Sequence, residues 1–76
     1  MTKEQVYAAR EMYAEQIRNN ATRLGIKIEE GTKVPQVVYL IMKKTSSEFV
    51  IKRTLNFYAH YVQMQHRIDL EICEEN

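Results

Sequence analysis

The chain has 76 residues, 45% hydrophobic and 28% charged, with a net charge of +1, one cysteine, one proline and two glycines. A chain of this length makes one domain at most and buries only about 60% of its unfolded surface, so residues 1–76 read as a single small domain in need of a staple or a partner. Cys73 by itself forms no intramolecular disulfide and no Cys/His spacing suits structural zinc, and the near-neutral total argues against both an acidic nucleic-acid mimic and a strongly basic coat protein.

Thr2 followed by Gln5 is a capping box, which starts a helix almost at the first residue. Val6, Ala9, Tyr13, Ile17, Ala21 and Leu24 then fall on one face, flanked by Tyr7 and Ala14. Gly25 stands where a left-handed C′ residue belongs, with Ile26 placed to close the end. The spacing predicts a helix over about 3–24. Nothing in Met1-Thr2-Lys3-Glu4 resembles an apolar signal core, and the longest strongly apolar run, Val37–Met42, is far too short to span a bilayer. No membrane contact and a cytoplasmic location are the expectation.

Residues 26–33 read as a loop whose Ile26 and Ile28 anchor onto the core, with Glu29-Glu30-Gly31-Thr32 supplying turn chemistry. The run from Val34 to Met42 is rich in β-branched residues and suits a buried strand or a buried helix. No second convincing strand exists to pair with it, Thr32 offers a cap, and Pro35 is tolerated in a first turn. A short buried helix over about 34–43 is therefore expected, with Lys43 and Lys44 complementing its C-terminal dipole.

Thr45-Ser46-Ser47-Glu48 is a second capping-box sequence, and neither Gly nor Pro follows it. A long helix is predicted over about 46–74. One stripe on it gathers Val50, Phe57, Tyr61, Met64, Ile68 and Ile72; an adjacent stripe gathers Ile51, Leu55, Tyr58, Val62 and Cys73. Together they form an arc of roughly 180°, wider than the ~100° that one core requires. About 28 residues of helix measure roughly 42 Å, against a diameter near 30 Å for a spherical chain of this length. On that reasoning the helix overshoots its own fold, and Phe57, Tyr61, Met64, Ile68 and Ile72 form a dimer or partner interface.

Charge is unevenly spread. Residues 31–53 hold five basic and one acidic side chain, a net +4, whereas residues 54–76 hold one basic and four acidic, a net −3. Lys43, Lys44, Ser46, Lys52 and Arg53 bracket the start of the long helix and have the composition of a phosphate-contact patch. The short turn between two helices there faintly resembles a helix-turn-helix, but Phe49-Val50-Ile51 leaves no polar cluster to read bases.

His66, Asp69 and Cys73 stand at i, i+3 and i+7. They spread over too long a stretch of helix for one metal ion, and Cys73 lies beside Glu74 and Glu75 near a helix C-terminus, which disfavours a thiolate. Aromatic residues at helical spacing on an apolar face read as core or interface. No catalytic constellation, cofactor motif, metal site or small-molecule site is expected. The residues point to an all-α chain of three helices, a helical homodimer, that acts as a non-enzymatic interaction or regulatory protein by binding a larger protein partner stoichiometrically. The alternative is a dimeric DNA- or RNA-binding accessory protein that uses the basic patch.

Overall fold

A computed structural model describes the backbone of residues 1–74 and the side chains of residues 1–71. It contains three α-helices and, among the described residues, no strand: α1 (Lys3–Arg23), α2 (Val34–Lys44) and α3 (Glu48–Glu74). The β-branched run from Val34 is thus helical, as the absence of a partner strand implied.

The helix ends show how local chemistry sets the frame. At the start of α1 the Thr2 hydroxyl accepts from the Gln5 N–H at 3.2 Å, and the Thr2 N–H donates to Gln5 Oε1 at 2.8 Å, so both halves of the capping box are present. At its other end the Ile26 N–H donates to the Ala21 carbonyl and the Gly25 N–H to the Thr22 carbonyl, each at 3.0 Å. That is a Schellman motif, and Gly25 takes the positive φ of 79° that it requires.

Two starts differ from expectation. Lys33, not Thr32, is the N-cap of α2 and makes no side-chain cap bond. The Thr32 hydroxyl instead donates to the Glu29 carbonyl at 2.7 Å, closing the loop that precedes the helix. The long helix begins at Glu48 rather than at 46, because Thr45 serves as the C-cap of α2. Its hydroxyl accepts from the Ser47 N–H at 3.1 Å, and Ser47 in turn accepts from the Val50 N–H at 3.4 Å. The capping role passes from Thr45 to Ser47, and no Glu48 box forms around Thr45.

The helices share one main core. Ala14, Ile17 and Ala21 from α1 meet Val34, Val37, Val38 and Ile41 from α2, and Val50, Phe57, Tyr58 and Tyr61 of α3 pack against them. Ile26 and Ile28 of the loop reach the same cluster. A second cluster lies further along, where Val6 of α1 meets Met64 and Ile68 of α3, with Tyr7, Ala9 and Tyr13 around them. Pairing of Val6 with Ile68, and of Tyr13 with Phe57 and His60, fixes α1 antiparallel to α3. Joined to α3 by residues 45–47 alone, α2 folds back along its first half.

The expected overhang is therefore not seen. The molecule measures 42 × 25 × 16 Å with a radius of gyration of 13.6 Å, longer than the ~11 Å of a spherical chain of this size. The whole fold has stretched to the length of α3. At about 31 Å, α1 runs beside nearly all of it, and Arg67 Nη1 lies 3.6 Å from Met1 Sδ near the far end.

Two buried polar groups interrupt the core. Thr54 is fully buried and its hydroxyl has no partner, while Asn20 is 7% exposed and its Nδ2 is likewise unpartnered. A buried hydroxyl without a hydrogen bond costs about 1–3 kcal/mol. Replacement of Thr54 by valine, nearly the same shape without the hydroxyl, is expected to raise stability by about 1 kcal/mol in urea unfolding. A loss of stability would show that the hydroxyl is satisfied.

Candidate functional site

The apolar arc of α3 divides into a covered stripe and an open one. Met64 is 8% and Ile68 3% exposed, and both are turned onto Val6 of the same chain. Phe57 and Tyr61 are half-buried against the main core. Phe57 lies 6.5 Å from the Tyr13 ring, and Tyr61 stacks on Tyr58 at 6.3 Å. So four of the five residues expected at an interface pack within the chain. The fifth, Ile72, lies outside the residues whose side chains are described, as does Cys73.

The adjacent stripe is the one left bare. Leu55 is 48% and Val62 45% exposed, while Ile51 and Tyr58 between them are half-buried. Their spacing of four, three and four residues follows a coiled-coil seam, and it puts the four side chains along one edge of α3. A helix of 11 residues, α2 reaches only about 16 Å along α3. Beyond its first turn the flank of α3 is open, leaving a groove of about 740 Å³ into which Tyr58 and Val62 face, rimmed by Arg18, Lys33, His66 and Asp69. The seam and the groove are continuous.

Polar contacts stiffen the groove's floor. Arg10 Nη1 donates to Gln65 Oε1 at 2.9 Å, and Gln65 Nε2 donates to Asp69 Oδ1 at 3.0 Å. The Arg10 guanidinium also lies 5.4 Å from the Tyr7 ring and 3.0 Å from Glu11. This relay couples the two antiparallel helices and occupies Asp69, one of the three residues at metal-ligand spacing. Among the described residues no group of three His, Cys, Asp or Glu side chains converges to hold a metal ion.

The second feature is the end of the bundle where α1 and α2 finish and α3 begins. Lys43, Lys44, Ser46, Lys52 and Arg53 are all exposed there. Lys43 Nζ sits 5.4 Å above the Tyr39 ring and the Arg53 guanidinium 5.7 Å from the Phe57 ring. The fold adds Arg23, in the last turn of α1, which sequence reasoning did not place in the patch. It also adds Phe49, which at 71% exposed is among the barest large apolar side chains of the molecule. The signal for Arg23 was present in the Gly25 stop, since an antiparallel α1 must deliver its last turn to the start of α3.

His60 was also missed. It belongs to neither apolar stripe of α3, yet it is half-buried and stacks on Tyr13 with ring centroids 5.0 Å apart. No family model, curated protein or solved structure matches this chain. Among the described residues no helix is long and apolar enough to cross a membrane.

Proposed function

We propose that this chain is a small non-enzymatic binding protein that works through the outer edge of α3, and that its first partner is a second copy of itself. The observation that supports this is the open seam Ile51–Leu55–Tyr58–Val62, with Leu55 and Val62 about half exposed on a helix whose other apolar stripe, from Val50 to Ile68, packs within the chain. Regularly spaced apolar side chains along a bare helix edge are the surface that helix-to-helix docking covers.

The charge distribution favours an antiparallel arrangement. Residues 31–53 carry a net +4 and residues 54–76 a net −3. Pairing two α3 helices head to tail brings the basic start of one beside the acidic end of the other, whereas parallel pairing sets like charges together. In that register Ile51 meets Val62 of the second copy and Leu55 meets its Tyr58. A seam of four residues covers less than the ~800 Å² per partner of a standard stable interface, so the dimer is a reversible one. The same edge is then available to a larger protein that presents a helix, which is how a stoichiometric regulator operates.

Sedimentation equilibrium across a hundredfold dilution tests this. The expected result is a monomer–dimer equilibrium between 9.0 kDa and about twice that mass, shifted to monomer by the double substitution Leu55→Arg, Val62→Arg. Because both positions are about half exposed, the variant should keep its stability within about 0.5 kcal/mol. A wild-type chain that stays monomeric at the highest concentration, or a dimer untouched by the double substitution, removes this reading.

A further inference from the structure

We propose that the cleft between the end of α1 and the start of α3 binds the phosphate group of a nucleotide, free or within a single strand. It is separate from the outer edge of α3 and does not depend on association. The cleft holds about 200 Å³ and is lined by Asn20, Arg23, Leu24, Phe49, Val50 and Arg53. Two guanidinium-bearing side chains thus meet at a cleft whose wall carries no carboxylate. Arginine is suited to this task because its planar fork can grip two phosphate oxygens at once.

The second observation is Asn20. It is 93% buried, forms part of the cleft wall, and its Nδ2 has no hydrogen-bond partner. Buried polar groups are nearly always paired, and an exception calls for a reason. An amide donor left unpaired in a cleft wall shared with two arginines is a reason of the right chemistry, since an oxyanion gripped by the guanidinium groups would offer the acceptor it lacks. Lys43, Lys44 and Lys52 stand exposed at the same end of the bundle, with Glu48 the acidic side chain of that helix start.

Phe49 points to what the phosphate is attached to. A volume of about 200 Å³ is several times the ~30 Å³ share of a water molecule. It admits a phosphate and part of a sugar, and leaves a base outside. There stands the Phe49 ring, 71% exposed, a platform on which any base can stack. An exposed aromatic beside a cationic cleft is the pairing that single-stranded nucleic-acid sites use, with stacking for the base and guanidinium for the backbone.

The test is an NMR titration of the full chain with inorganic phosphate, with adenosine 5′-monophosphate, and with a short single-stranded oligonucleotide. The expected result is a saturable shift of the Asn20 side-chain amide together with the backbone signals of Arg23, Phe49 and Val50. Affinity should fall at least tenfold in Arg23→Gln, Arg53→Gln and several-fold in Phe49→Ala, all at exposed positions where folding is unaffected. Tighter binding of the oligonucleotide, with log affinity falling by about 0.7 per phosphate contact against log salt, identifies a strand as the ligand; equal binding of the mononucleotide identifies a free nucleotide. Binding of inorganic phosphate that matches the nucleotides and ignores Phe49→Ala overturns the nucleotide assignment. Absence of any saturable shift at Asn20, or shifts that survive the double arginine substitution, overturns the site altogether.

Discussion

Replacing Ile17 by alanine is expected to cost about 3 kcal/mol and to lower the midpoint of thermal unfolding by roughly 15 °C. Ile17 is fully buried and sits where α1 and α2 meet over α3. Its neighbours on α1, Ala14 and Ala21, are too small to fill the space it leaves, so most of the cavity term applies. A domain of 76 residues has a total stability of about 4–11 kcal/mol on the usual per-residue scale. One truncated isoleucine thus removes about a quarter of it or more. Urea unfolding should show a lower midpoint with an unchanged slope, the sign of lost stability without a change in the surface exposed. Leu55→Ala, at a side chain 48% exposed, is the control and should cost less than 1 kcal/mol in the monomer. Equal losses at the two positions would mean that the core lies elsewhere.

The elements were legible where one residue type admits one structural role. Thr2 with Gln5 and Gly25 with Ile26 marked the ends of α1, and the observed helix differs from the expected one by a single residue. The want of a second strand to pair with, together with a Pro35 that a first turn tolerates, marked α2 as a helix despite four β-branched residues from Val34 to Ile41. The start of α3 was less legible because Thr45, Ser46 and Ser47 can all cap. The choice among them was made by α2, whose last turn extends to Lys44 and takes Thr45 for its own end.

The division of α3 was not legible for a different reason. Up to Val62 both stripes are apolar, and only beyond it do Gln65, His66 and Asp69 interrupt the second, so periodicity alone cannot say which faces inward along the first half. The deciding quantity was the length of α1. An antiparallel helix of 21 residues covers most of α3, and only the comparison with a sphere made the end of α3 seem to protrude. Asn20 illustrates the same limit at one residue. It falls between Ile17 and Leu24 on the apolar face, but a polar residue there reads as an edge position until the neighbouring helix is seen to close over it.

Ile68 separates the two pictures of α3 most sharply. It is 3% exposed and packs with Met64 against Val6. Ile68→Asp would place a carboxylate in that cluster with no cation in the apolar contact to pair it, and burial of an unpaired charge costs several kcal/mol. Because this cluster is distinct from the main core, the damage should be local first. The start of α1 and the part of α3 beyond Tyr61 should lose amide protection while Val37 and Ile41 keep theirs, as expected of a cooperative unit smaller than the whole fold. The milder substitutions decide the cause. Val6→Ala and Ile68→Ala should each destabilise the chain, and together by less than their sum, with a coupling of about 1 kcal/mol because the two side chains share one contact. That coupling should be the same at every protein concentration, since both residues belong to one chain. If Ile68 instead met a second copy, its loss would weaken with dilution and add independently to that of Val6, and the seam at Leu55 and Val62 would no longer be the open edge of α3.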